Sequence, residues 1–163
     1  MLVKGGAVRA ARVATFALIV LGWSVSAAAK DIALISNKVN HVDTISLPDL
    51  VKICKAQTNR WPDGKPVTLV IRDPASADMK LVLQKIYEMP KEDVVALIAS
   101  VNHNRLDHPA IVVADSDEVL VKKVESTAGA VGLVDVYAIT SAVTVVRVGS
   151  KLPLEPGYVL HGN

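Results

Sequence analysis

Residues 59–79 read NRWPDGKPVTLVIRDPASADM, and the fold turns on how this run is divided. Pro62, Asp63 and Gly64 supply turn chemistry, and Trp61 beside them is expected to shield the sheet edge. Residues 66–71, PVTLVI, are nearly all apolar, the pattern of a strand buried on both faces. Arg72 ends that strand. Ser76 then opens a helix whose Met79, Val82, Leu83 and Ile86 fall at the i, i+3, i+4, i+7 spacing of one apolar stripe. A helix start offers free N–H groups and a partial positive charge, and an arginine adds a forked donor, so the junction suits an oxyanion. It equally suits a well-capped strand-to-helix connection, and the run alone supports both readings.

Working outward, the same alternation continues. Residues 32–36, IALIS, form a strand pattern. Ser46 caps a helix with Pro48 in its first turn and Leu47, Leu50, Val51 and Cys54 on one face. A further helix follows Pro90, with Val94, Leu97, Ile98 and Val101 inward. Residues 110–114, AIVVA, make a third strand. Asp115 with Glu118 gives a capping-box-like start to a helix reaching about Glu125. GAVGLVDVYAI and VTVVRVG supply the last two strands. Strands alternating with helices predict an α/β sandwich with a mostly parallel sheet flanked by helices, in one domain.

The first 29 residues are different in kind. Lys4, Arg9 and Arg12 precede an uncharged apolar run from Val13 to Val25, followed by Ser26, Ala27, Ala28 and Ala29. That three-part layout is a secretory signal peptide with cleavage after Ala29, which predicts a periplasmic or secreted protein of residues 30–163. The apolar run is shorter than the ~20 residues a spanning helix needs, and no later segment reaches that length. Of the 18 basic and 16 acidic residues, three basic and no acidic ones lie before residue 30, leaving 15 against 16. A net charge near zero without a clustered basic face excludes a nucleic-acid surface as the first expectation. Cys54 is the single cysteine, so no intrachain disulfide forms, and its apolar setting predicts a buried, inert thiol.

Together, Ser46, Leu50 and Ile53, then Trp61-Pro62-Asp63-Gly64, then Arg72 and Ser76, and finally AGAVGLV at 128–134 appear in an order that resembles the periplasmic phosphate-binding-protein-like family. The resemblance covers almost the whole mature chain. It implies a single-lobe periplasmic-binding-protein-like domain, a small inorganic anion such as phosphate as ligand, and an ABC transporter permease or other envelope protein as partner. It also implies that Arg72, Ser76 and Ala77 contact the oxyanion. The chain departs from the family where the helix opens Ser76-Ala77-Asp78 rather than Ser-Gly-Thr. Asp78 places a carboxylate where an incoming anion would sit, and Arg72 is expected to pair with Asp73 or Asp78. At 134 residues the mature chain matches one lobe of relatives that close two lobes around a ligand.

The remaining candidates favour structure over chemistry. His103, Asp107 and His108 lie in HNRLDH, but the histidines are five apart and lack further ligands, so a polar loop is expected rather than a metal site. Gly129 and Gly132 lack the strand-before, helix-after context of a dinucleotide loop, and tight-turn glycines are the expectation. No nucleophile–base pattern or phosphate-binding loop is present, so neither an enzyme nor a cofactor is expected. Two functions remain: an exported solute-binding-like protein for a small oxyanion, and an extracytoplasmic accessory or interaction domain that keeps the fold without the ligand.

Overall fold

The computed structural model describes residues 30–162. The signal-peptide reading of residues 1–29 lies outside the described residues. Six strands form one sheet: β1 (Ile32–Ser36), β2 (Thr44–Ile45), β3 (Thr68–Arg72), β4 (Ile111–Ala114), β5 (Ala130–Asp135) and β6 (Thr144–Val148), ordered β2-β6-β1-β5-β3-β4. β3 runs parallel to both β4 and β5, and β2 runs parallel to β6, whereas β1 is antiparallel to both of its neighbours, β5 and β6. The sheet is therefore mixed: a parallel portion carries the Arg72 end, and β1 runs the opposite way beside it.

Alternating side chains build two cores. Leu34, Leu69, Ile71, Val131, Leu133 and Val146 face one side. There they meet α1 (Leu47–Cys54), α3 (Lys91–Asn102) and the helical segment 77–87. Ile35, Val70, Ala130 and Val134 face the other side, against Leu120, Val121 and Val124 of α4 (Asp117–Ser126). The period of two in the strands thus produces helix–sheet–helix layers. Gly132 belongs to β5 rather than to a turn, and a Cβ there would come within 2.7 Å of Leu120 and 2.9 Å of Val124. Its missing side chain lets α4 lie close to the sheet.

Capping follows the sequence in part. Ser46 accepts from the Asp49 N–H at 3.2 Å, and Pro48 sits in the first turn of α1. The cap of α4 is Ser116, accepting from Val119 N–H at 3.2 Å, and not Asp115. Two adjacent residues of good capping type lie at that boundary, and the backbone chose the second. Segment 77–87 is also less regular than its apolar spacing suggests. A 3-10 turn (Ala77–Met79) leads into α2 (Lys80–Val82) and then a π-helical turn (Leu83–Tyr87), although Met79, Val82 and Ile86 are buried as the spacing predicts. The side chain of Ser76 makes no capping hydrogen bond.

Hydrogen bonds outside the strand ladders tie these elements together. Trp61 is half-buried and its indole N–H donates to the Gly129 carbonyl at 2.8 Å, fastening the Trp61–Gly64 turn to the entry of β5. The C-terminal stretch returns to β1: Ile32 N–H donates to Leu160 O, and the Tyr158 hydroxyl donates to Ile32 O. At the end of the sheet, Asn102 of α3 lies against β4, its Nδ2 donating to Ile111 O at 2.7 Å while Oδ1 accepts from the N–H groups of Ala110 (2.9 Å) and Ile111 (3.2 Å).

Candidate functional site

Four buried residues, Thr68 to Ile71, hold β3 in place, and Arg72 emerges half-buried at its carboxyl end. The chain then turns sharply. Ser76 N–H donates to Asp73 O at 2.8 Å, and the Asp73 carboxylate accepts from Ala75 N–H at 2.8 Å. Asp73 is thereby used locally and does not pair with Arg72. Next door, the turn after β4 delivers Asp115, Ser116 and the start of α4. The carboxyl ends of parallel strands are where open α/β sheets gather their polar groups, and Arg72 meets its partners there.

Arg72 is held by two elements. Nη1 donates to Asp117 Oδ1 at 2.7 Å and to Asp78 Oδ2 at 3.4 Å, and Nη2 donates to the Asp115 carbonyl at 3.0 Å. The pairing with Asp78 was legible in the sequence, but the stronger contact with Asp117 was not. Two polar atoms in the same neighbourhood remain buried without a partner: Arg72 Nε and Ser76 Oγ. Buried donors without acceptors are uncommon, because each forfeits its hydration.

A second ion pair lies at this end. Register places Ile32 of β1 opposite Asp135 of β5, and just before it Lys30 Nζ reaches Asp135 Oδ2 at 2.9 Å. Asp135 also accepts from Tyr137 N–H at 2.9 Å. Burial would raise the Asp135 carboxyl, but the hydrogen bonds from Lys30 and Tyr137 and the Lys30 charge outweigh it and hold the group below its usual range. The Lys30 ammonium is raised above its usual value, first by the hydrogen bond it donates to Asp135 and by that carboxylate's charge, and further by Asp78 and Asp117. Lys30, Arg72, Asp78, Asp117 and Asp135 therefore share one electrostatic neighbourhood with one more acid than base.

The three residues suggested by sequence are only partly gathered. Ser76 and Ala77 line a groove of about 660 Å³ along segment 77–87, with Lys80, Gln84 and Lys91 also on its walls. Arg72 is not among the residues lining it. Asp117, Asp135 and Lys30 were missed, and the signal that finds them is topological: each lies at the carboxyl end of β3, β4 or β5, or at the antiparallel start of β1. His103, Asp107 and His108 fall at the opposite end of the sheet. Among the described residues no three His, Cys, Asp or Glu side chains gather as a metal-ligand group.

Neither a protein-family model nor a curated protein matches the sequence. Solved structures do match the fold. An ABC-type phosphate transport receptor from Vibrio cholerae superimposes with a TM-score of 0.67 at 16% identity, covering 82% of this chain and 54% of the receptor. PstS from Borrelia burgdorferi gives 0.65 at 15% identity, over 83% of this chain and 55% of its own. A putative phosphate ABC transporter substrate-binding protein with bound phosphate from Clostridium perfringens gives 0.58 at 18% identity, over 75% and 46%. The chain spans about half the length of these proteins, and what it shares with them is the single-lobe α/β fold.

Proposed function

We propose that the protein is an exported solute-binding protein, not an enzyme, that takes a small protonated oxyanion at the carboxyl end of its sheet. The observation that carries this is the pair of buried, unpartnered polar atoms, Arg72 Nε and Ser76 Oγ, beside the turn into segment 77–87. The fold shared with phosphate receptors supports it. Arg72, Ser76 and the backbone at Ala77 would supply the donors. Asp78 and Asp117 shape the choice of ligand, since a carboxylate repels a fully ionised oxyanion but accepts a hydrogen bond from a protonated one. Phosphate, which keeps a proton near neutral pH, suits such a site and sulfate does not. The signal-peptide pattern of residues 1–29 supports export, with the mature protein starting at about Lys30 in the periplasm or medium, where an ABC permease or another envelope protein would receive the solute.

Calorimetric titration tests this reading. Phosphate is expected to bind weakly, because one lobe leaves half of the anion in water. Sulfate should bind less well, and Arg72→Ala should abolish phosphate binding. Absence of phosphate binding at millimolar concentration would overturn the proposal.

A second reading is favoured by a specific contact set. Asp117, Asp78 and the Asp115 carbonyl already occupy both terminal nitrogens of Arg72. A guanidinium so engaged can be purely structural, and the protein would then be an extracytoplasmic accessory domain on a solute-binding fold. Under that reading wild type binds no anion at this end, and Arg72→Ala lowers stability alone.

A further inference from the structure

The described residues contain four arginines, and they divide by position. Arg72 and Arg147 each lie within ion-pair distance of a carboxylate. Arg60 and Arg105 make no ion pair, and both line one cleft of about 550 Å³ at the amino end of the sheet. His108, Asn59, Asn104 and Asp107 complete its polar lining. Arg60 lies in the α1–β3 connection, where its Nη1 donates to the Gly64 carbonyl at 2.8 Å and is steadied on the Trp61–Gly64 turn. Arg105 comes from the loop after α3, where its N–H donates to Asn102 O at 2.9 Å. The nearby acid Asp63 is already paired with Lys65. Asp107 is the single carboxylate in the lining, against two guanidinium groups and an imidazole.

We infer that this cleft is a binding site for a small multivalent anion carrying two or more carboxylate or phosphate groups. Each guanidinium presents a planar fork that matches such a group bidentately, and two forks on one cleft suit a ligand with two charged ends. The volume lies within the range of about 300–1,000 Å³ typical of small-molecule sites. Asn59 and Asn104 add amides able to meet hydroxyl or carbonyl groups between the charged ends. The cleft is independent of the Arg72 region: β3 alone separates its two ends by roughly 13 Å at about 3.3 Å per residue.

Citrate and pyrophosphate serve as probes, titrated into the purified protein by calorimetry. At least one should bind with one-to-one stoichiometry. Citrate alone would assign the site to carboxylates, and pyrophosphate alone to phosphates. Arg60→Gln and Arg105→Gln should each weaken binding by about tenfold or more, as loss of one charge-assisted contact predicts. The double variant should bind neither probe while melting with the wild-type protein, since neither guanidinium holds a carboxylate. Arg105→Lys, which keeps the charge and loses the fork, should fall between wild type and Arg105→Gln. Arg147→Gln, on β6 and outside the cleft, should leave binding unchanged. The inference is overturned if neither probe binds at millimolar concentration, or if binding survives in the double variant or is lost in Arg147→Gln.

Discussion

Arg72 and Asp117, 45 residues apart in the chain, meet at 2.7 Å across the carboxyl ends of β3 and β4. The contact locks the start of α4 to the strand that precedes segment 77–87. Both side chains are largely covered, at 18% and 25% exposure, so water screens the pair only in part. Arg72→Ala strands Asp117 and Asp78 together and should cost about 1–3 kcal/mol. Asp78→Asn, which loosens only the 3.4 Å contact, should cost less. Urea denaturation of both variants checks the order, and an unchanged midpoint for Arg72→Ala would remove the structural role.

The serines should separate cleanly. Ser46→Ala and Ser116→Ala each remove a hydroxyl that accepts from a first-turn N–H and should cost about 0.5–2 kcal/mol. Ser76→Ala removes a buried hydroxyl with no partner, so thermal melting should be unchanged or raised. A loss at Ser76 equal to that at Ser116 would contradict the geometry at the start of segment 77–87.

Two glycines of left-handed conformation make a graded pair. Gly64, at φ +88°, has open space where a Cβ would stand, so Gly64→Ala should cost only the conformational strain of about 1–2 kcal/mol. Gly129, at φ +87°, would place a Cβ 2.0 Å from the Pro66 carbonyl oxygen. Its own carbonyl also accepts from Trp61 Nε1 and from Thr68 N–H. Gly129→Ala should cost more than about 3 kcal/mol or abolish folding, since it adds a backbone clash to the strain. Equal denaturation midpoints for the two variants would refute the close approach.

Acid stability should depend on Asp135. Its folded pKa lies below its unfolded value, so its contribution is fully present above about pH 4 and is lost as pH falls through the folded value. Lys30→Gln should therefore flatten the loss of stability on the acid side, measured as denaturation midpoint against pH. A profile unchanged by Lys30→Gln would show that other carboxylates dominate.

Cys54 is fully buried and burial pushes its thiol far above the usual range. Thiol reagents should modify it only at the rate of global unfolding, followed by mass spectrometry in graded denaturant.

How much of this was legible depends on the range of the signal. β1, β3 and β5 announced themselves through apolar runs because they are buried on both faces, and β4 and β6 through runs of valine and isoleucine although each is covered only in part. β2 did not: two residues, Thr44 and Ile45, are too few to display an alternation. The apolar spacing of Met79, Val82 and Ile86 correctly marked a buried stripe, but 3-10, α and π turns bury nearly the same residues, so spacing left the hydrogen-bond pattern open. Asp78, six residues from the arginine in sequence, was within reach of local reading. Asp117 was not, because the sheet order, and not the sequence neighbourhood, brings β3 and β4 side by side.

Asn102 has a consequence for how the molecule behaves among its own copies. β4 terminates the sheet, and a terminal strand is a template on which another chain can grow. By giving both a donor and an acceptor to Ile111, the carboxamide acts as a one-residue false strand and uses up the positions at which an incoming segment would first register. A single side chain on a neighbouring helix thus covers the start of a four-residue, valine-rich edge segment on which another copy could otherwise polymerise.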